Sequence, residues 1–507
     1  MNKFMNGLKD ENNYTFTENG ALTHKSTCNG LLDLFGLGAA YRSRSDEDCI
    51  VLFEKAWAED PIYALKCLFY LRDVRGGQGE RRFFRTVCTW LAGKHTNMMK
   101  RNLKYVPEFG RWDDLYAFVG TPLEKAAFEF MEEQAKLDLE CRTPSLLAKW
   151  LKSENTSSQQ SCDLGRRTRI AFGLTARQYR KMLSILRERI NVIERLMSAG
   201  EWDKIEFDKI PSKAGFIYRN AFARHDIERL KKDPTARTYS DFIQDETTTV
   251  NAKDLYPYEV VAKAFNLTNN GTWCAPKTNV DPIERAAINK YWDNLTDYFN
   301  GCSLDALCVV DTSASMWADR ASAPINVAIS LGLYAAERAR GPFAGHYVSF
   351  SHEPQLIETA GVDFVDKVRR IYETNLCEDT NIEATFDILL NTALKHNCTQ
   401  YDLPKSIIII SDMEFNVAQG YYGSCNYNNA TLMENIECKW NAYGYEMPHL
   451  IFWNVDARQD NIPMKIKDGV TMVSGFSPVL FEQIMKGLSA EDLMYDKLNS
   501  ERYACIK

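Results

Sequence analysis

The chain has 507 residues, of which 45% are hydrophobic and 25% charged, and its formal net charge is −7. Those proportions fit a globular protein with room for two or three domains. Met1–Asp10 lacks the apolar stretch of a secretory signal, and no run approaches the roughly 20 apolar residues that span a bilayer. The 14 cysteines form no C-x-x-C pair and no His/Cys spacing of a zinc site. A reduced, cytoplasmic setting without membrane contact is therefore expected, in place of a disulfide framework.

Residues 1–44 read as an N-terminal extension packing on the modules that follow. From 45 to 300 the pattern is helical, with apolar residues three and four apart. Asp46–Trp57, Pro61–Arg72, Phe83–Leu91, Leu115–Val119, Pro122–Leu139 and Ala176–Met197 are the clearest segments, with late helices and a connector after 233. Helical pairs without intervening strands suggest an α-solenoid of HEAT-like repeats, although no clean sequence period appears. From 301 to 507 strands and helices alternate, as in a doubly wound, Rossmann-like α/β domain. Strands are expected at 304–310, 346–350, 405–411, 449–454 and 470–474, and helices at 323–339, 361–373, 382–396 and 478–487. The fold class is thus α plus α/β, multidomain. An insert rich in Tyr, Asn and Gly, Glu414–Met447, leaves the sheet where it can shape an approaching ligand.

Two stretches of the helical half stand out. Arg72-Asp-Val-Arg-Gly-Gly-Gln-Gly-Glu-Arg-Arg-Phe-Phe84 is glycine-rich, but it follows a helix and lacks a Walker lysine-serine ending, so it reads as a structural turn. Pro107-Glu-Phe-Gly-Arg-Trp-Asp-Asp-Leu115 reads as a packing turn in which Asp113 or Asp114 caps the next helix. Charge is uneven. Residues 141–240 hold about 21 Lys and Arg against about 11 Asp and Glu, a local excess of roughly +10. Lys149, Arg166, Arg167, Arg169, Arg180 and Lys181 lie in this run with Trp150 and Tyr179 interleaved. Cations release counterions from phosphates, and aromatics stack on unpaired bases. A solvated helix face laced with Glu188, Glu194 and Asp208 accounts for the same charges equally well.

The most informative motif is Asp311-Thr-Ser313-Ala-Ser315, directly after the apolar run Leu304–Val310. Side chains two apart leave a strand pointing the same way, so one carboxylate and two hydroxyls face one side of a turn. Thr380 precedes an amphipathic helix, and Asp412 follows the apolar strand that ends at Ser411. All five donors come from loops at the carboxyl ends of expected strands, where open α/β sheets bind ligands. Hard oxygen donors of this kind suit Mg²⁺ or Mn²⁺.

This D-x-S-x-S, then T, then D order resembles the metal-ion-dependent adhesion site of von Willebrand factor A domains, over roughly residues 303 to 490. The resemblance implies that Ser313, Ser315 and Thr380 ligate the cation, that Asp311 and Asp412 hold it mainly through water, and that one position stays open for an acidic group of a partner protein. Glu378 and Asp379 stand where many such domains carry glycines, placed to fill that position or to repel an acidic ligand. A second resemblance rests on Arg72-Asp-Val-Arg-Gly-Gly, Pro107-Glu-Phe-Gly-Arg-Trp-Asp-Asp, Ala148-Lys-Trp-Leu151 and Phe222-Ala-Arg-His-Asp226. These look like the TROVE module of Ro-type ribonucleoproteins. They look closer still to a domain-of-unknown-function family that joins this module to a von Willebrand A domain. The resemblance implies a ring of helical repeats that binds RNA through the six basic residues named above.

Three functions compete. One is a non-catalytic RNA-binding scaffold with a cation-dependent ligand site. The alternative is a cation-dependent protein-interaction module that works without RNA. The third, a metal-dependent hydrolase, needs a positioned general base. None of the seven histidines pairs beside the donors, Glu414 is a lone candidate base, and no G-x-S-x-G motif occurs. A non-enzymatic role is expected.

Overall fold

The computed structural model describes residues 11–190, 192–268, 280–317, 324–350, 353–359, 362–374, 380–417, 431–465 and 469–507. The chain divides into two compact units, each discontinuous in sequence: residues 1–67 with 255–500, and residues 68–254 with 501–507. The boundaries expected at 44/45 and 300/301 both fall inside the first unit. The reason is burial. Helices Pro257–Thr268 and Pro282–Asp293, expected in the helical module, turn their aromatic faces onto the helices that cover the sheet. The Phe265 and Tyr372 rings lie 4.1 Å apart, and Trp292 stacks on Phe364 at 4.1 Å.

The first unit is built on a six-stranded sheet. Its strands are β3 (Ala306–Asp311), β4 (His346–Phe350), β5 (Gln355–Glu358), β6 (Ser406–Ser411), β7 (His449–Asn454) and β8 (Val470–Ser474), in the order β5-β4-β3-β6-β7-β8. All neighbours are parallel except β4 and β5. The inner strands are buried on both faces, which is why they read as unbroken apolar runs. From β3 the chain crosses to β4 on one side, and later it enters β6 on the other. The strand order therefore reverses between β3 and β6, the place where such sheets open a crevice. Val310 pairs with Ile410, so Asp311 and Ser411 end their strands level and Asp412 lies one residue beyond.

Several elements of this unit had no counterpart in the sequence expectations, among them a hairpin, an edge strand and a helix. β1 (Tyr14–Phe16) and β2 (Leu22–His24) form an antiparallel hairpin. Isolated bridges join it to the segments after β6 and β7, Gly20 with Asn416 and His24 with Ile462. β5 is a short, largely exposed edge strand. The Glu414–Met447 insert contains the helix Leu432–Ala442, opened by a capping box between Thr431 and Glu434.

The second unit is helical, with no strand among its described residues. Helix Pro61–Arg72 runs across the division, followed by Arg82–Lys94, Thr96–Asn102, a 3-10 turn at Trp112–Phe118, and helices Glu124–Glu140, Leu147–Trp150, Gln159–Ala171 and Ala176–Arg189. The expected Ala176–Met197 helix ends at Arg189, and a separate helix starts at Ile193. The glycine-rich stretch after Arg72 is a packing turn: a Cβ on Gly77 would lie 2.0 Å from the Tyr70 carbonyl oxygen. Residues 501–507 complete this unit. Tyr503 is fully buried, stacks on Phe109 at 5.5 Å, and donates its hydroxyl to Asp73 at 2.9 Å. Asp73 also binds Arg502, with Nη2 to Oδ1 at 2.6 Å. No helix among the described residues is long and apolar enough to cross a membrane.

Candidate functional site

Asp311 ends β3 fully buried. Its Oδ1 accepts the Ser313 backbone N–H at 2.9 Å and its Oδ2 accepts the Ser411 hydroxyl at 2.5 Å. The Ser313 and Ser315 hydroxyl oxygens lie 3.1 Å apart. Neighbouring ligands on an octahedral ion with bonds of ~2.1 Å stand about 3.0 Å apart, so these two oxygens already have the spacing of cis ligands. Asp412, 1% exposed, follows β6. Burial, reinforced by the Asp412 charge, pushes the Asp311 carboxyl up to about 7. Two carboxylates sharing one dry place oppose each other's ionisation. Thr380 is buried just before helix Ile382–Lys395, and its carbonyl accepts the Asn416 N–H at 3.2 Å, which ties its loop to the segment after Asp412. Asp311, Ser313, Ser315 and Asp412 thus gather where β3 and β6 end, and among the described residues no group of three or more His, Cys, Asp or Glu side chains forms a metal cluster. Glu378 and Asp379 lie outside the described residues.

Around these donors lies a further set of residues, of which the sequence reading had named only Glu414. Arg458, just after β7, donates Nη2 to Asp412 Oδ2 at 2.8 Å and pairs through Nη1 with Glu18 Oε2 at 2.8 Å. Burial disfavours its charge, but Asp412, Glu18 and Glu414 outweigh that and hold it more firmly protonated. Asp412 Oδ1 accepts the Glu414 N–H at 3.1 Å, across a left-handed Met413 with φ of +65°. Glu414 is bonded on both carboxylate oxygens, by Asn461 Nδ2 at 2.7 Å and the Glu18 N–H at 2.6 Å. Burial, then the Asp412 charge against the Glu18 bond, leaves its carboxyl pushed up to about 7. Thr17 and Asn19 add bonds to the carbonyls of Phe415 and Glu414. The hairpin thus braces the loop that carries Asp412. The only signal in the sequence was Arg458 itself, a lone cation at the carboxyl end of an apolar strand.

The six basic residues of the helical unit differ in their surroundings. Arg166 pairs with Asp163 at 3.2 Å, Arg167 with Glu124 at 3.2 Å, and Arg169 with Glu154 at 2.8 Å. Lys149 lies 6.0 Å from the Trp150 ring centroid. Arg180 and Lys181 are exposed on helix Ala176–Arg189 beside Arg177, and none of the three forms an ion pair among the described residues. Arg187 turns inward instead and donates to the Ala148 and Leu151 carbonyls at 2.9 Å each, closing the helix Leu147–Trp150. The Arg72 and Pro107 motifs meet in a buried ion cluster. Asp114 accepts Arg72 Nε at 2.8 Å, Arg85 Nε at 2.7 Å and the Arg111 backbone N–H at 2.8 Å. A Cβ on Gly110 would lie 2.3 Å from Asp114 Oδ2, so only glycine lets the chain pass this ion pair.

Known proteins resemble this chain along most of its length. A protein described as "Uncharacterized protein L728" of Acanthamoeba polyphaga mimivirus is 29% identical over 510 residues, covering 93% of this chain and 85% of its own length. The crystal structure of the Deinococcus radiodurans RO (RSR) protein aligns with 94% of this chain and all of its own, at 12% identity and a TM-score of 0.37. The family described as Domain of unknown function (DUF7788) matches residues 305–503. The family described as Domain of unknown function (DUF2828) matches residues 17–162 and 144–301, more than half of the chain, and the chain belongs to that family.

Proposed function

We propose that the chain is a non-catalytic RNA-binding scaffold whose sheet unit carries a Mg²⁺- or Mn²⁺-dependent site for an acidic ligand. In this reading the sheet unit is a von Willebrand A-type domain and the helical unit a TROVE-like module of HEAT-like repeats. The observation that carries the cation site is the buried Asp311 beside two hydroxyls at cis-ligand spacing, 3.1 Å apart. Ser313, Ser315 and Thr380 would hold the ion, with Asp311 and Asp412 behind them. When bound, the ion offers a Lewis-acidic position to a carboxylate oxygen. The protein's own part is to hold the donors: Ser411 and the Ser313 N–H fix Asp311, while Arg458 offsets the charge of Asp412.

RNA binding is supported by the exposed, unpaired row Arg177, Arg180 and Lys181, by the local positive excess, and by the motif resemblance. Three of the six expected contacts, Arg166, Arg167 and Arg169, are held in ion pairs, which favours the alternative of a protein-interaction module without RNA. One experiment separates them. Mn²⁺ binding, followed by electron paramagnetic resonance, is expected in the wild type and lost by roughly a hundredfold in Asp311→Asn, the neutral isostere. Filter binding of single-stranded RNA in EDTA is expected to weaken, with a salt slope shallower by about two, in the double variant Arg180→Glu, Lys181→Glu. Undiminished Mn²⁺ binding in Asp311→Asn would falsify the cation site. RNA binding that ignores salt and both reversals leaves the protein-interaction reading.

A further inference from the structure

Asp113 and Asp114 anchor a cluster in the helical unit in which positive charge exceeds negative. Asp114 is fully buried and takes Arg72 and Arg85, as described above. Asp113 accepts Arg85 Nη2 at 3.0 Å and faces Lys152 Nζ at 4.0 Å. Arg111 is different. Its backbone N–H serves Asp114, but its guanidinium turns away and lies over the Trp150 ring, 4.7 Å from the centroid. Among the described residues it forms no ion pair. Lys149 borders the same ring, and Lys152 lies 5.8 Å from the centroid of Tyr116.

Among the described residues, Arg72, Arg85, Arg111 and Lys152 share the two carboxylates of Asp113 and Asp114, which leaves a surplus of positive charge in a half-buried place, with Arg111 the one cation of the four that forms no ion pair. Burial pushes the Arg111 pKa down, and the charges of Arg72 and Arg81 add to that against the opposing pull of Asp113 and Asp114. The ring beneath Arg111 explains where the guanidinium rests. It does not balance the charge, because an indole carries none. Burying unpaired cations is costly unless an anion joins them, and guanidinium with ammonium groups over an aromatic floor is the chemistry that receives a phosphate.

We propose that Arg111, Lys149 and Lys152, with Trp150 as the floor, form a binding site for a phosphate oxyanion. The phosphate is carried on a nucleotide, free or within a single strand. The strand form rests on the RNA reading above; the oxyanion site itself does not, and it uses neither Arg180 nor Lys181.

The test is calorimetric titration of the full chain in EDTA with inorganic phosphate, adenosine monophosphate and a single-stranded oligouridylate, on the wild type, Arg111→Gln, Arg111→Lys and Arg180→Glu. At least one probe is expected to bind the wild type and to bind Arg111→Gln about tenfold more weakly, with Arg111→Lys between. Arg180→Glu should leave phosphate and adenosine monophosphate binding unchanged, which separates this site from the helix face proposed above. Binding of the oligonucleotide alone identifies a strand as the source; binding of adenosine monophosphate at similar strength identifies a free nucleotide. Thermal denaturation guards against misfolding: Arg111→Gln loses a charge and its contact with the Trp150 ring but breaks no ion pair, and should melt near the wild type. The site is overturned if no probe binds the wild type, or if Arg111→Gln binds as tightly.

Discussion

Each unit buries a neighbouring pair of carboxylates, and the two pairs are compensated in opposite ways. In the sheet unit Asp311 and Asp412 have one guanidinium between them, and Arg458 shares it with Glu18. In the helical unit Asp113 and Asp114 are surrounded by Arg72, Arg85, Arg111 and Lys152. One site is short of positive charge and the other has a surplus. The sign of that remainder, which the chain's net charge of −7 conceals, is what distinguishes the proposed cation site from the proposed oxyanion site.

The comparison is broken most forcefully at Asp114. Asp114→Asn leaves Arg72, 1% exposed, without its countercharge, and unpaired buried ions cost about 3–5 kcal/mol. Urea unfolding should show that loss, and a variant as stable as the wild type would mean Arg72 is satisfied elsewhere. Next comes Tyr503→Ala, expected to cost about 3 kcal/mol because it empties the space against Phe109 and Tyr70 and removes a bond to Asp73. This contact also sets an acid limit. Burial pushes the Asp73 carboxyl up, but the bonds from Arg502 and the Arg75 N–H prevail and hold it below the usual carboxylate range. A depressed folded-state pKa means stability present above the ordinary value and lost as pH falls through the depressed one. The wild type should therefore lose part of its stability below about pH 4, and Asp73→Asn should flatten that dependence. The smallest effect sharpens the other half. Arg458→Gln frees Asp412 for the cation and should tighten Mn²⁺ binding by roughly fivefold. Weaker binding would mean that Arg458 positions Asp412 more than it neutralises it.

How much of this was legible in the sequence follows from how local each feature is. Five strands were placed within two residues because burial on both faces writes an unbroken apolar run. Asp311, Ser313 and Ser315 were visible because a single turn carries all three. β5 was missed because an exposed edge strand needs no apolar run, and the hairpin because its strands are three residues each. Arg458 was invisible because its partners, Asp412 and Glu18, are brought to it only by the register of β6 with β7 and by the hairpin's bonds to Glu414 and Phe415. Composition left the basic run unsorted. Charge composition does not distinguish an arginine that closes a helix, such as Arg187, from one left to solvent, such as Arg180.

The discontinuity of the two units has a consequence for biosynthesis. Glu18 bonds to Glu414 across 396 positions of sequence, so the hairpin leaves the ribosome long before the strands it braces exist. Residues 68–254 of the helical unit emerge in between, yet its core stays open at Phe109 until Tyr503 has been made. Neither unit can close in the order in which it is translated. For most of its synthesis the nascent chain holds unsatisfied hydrophobic surface, the condition under which chaperones engage a polypeptide.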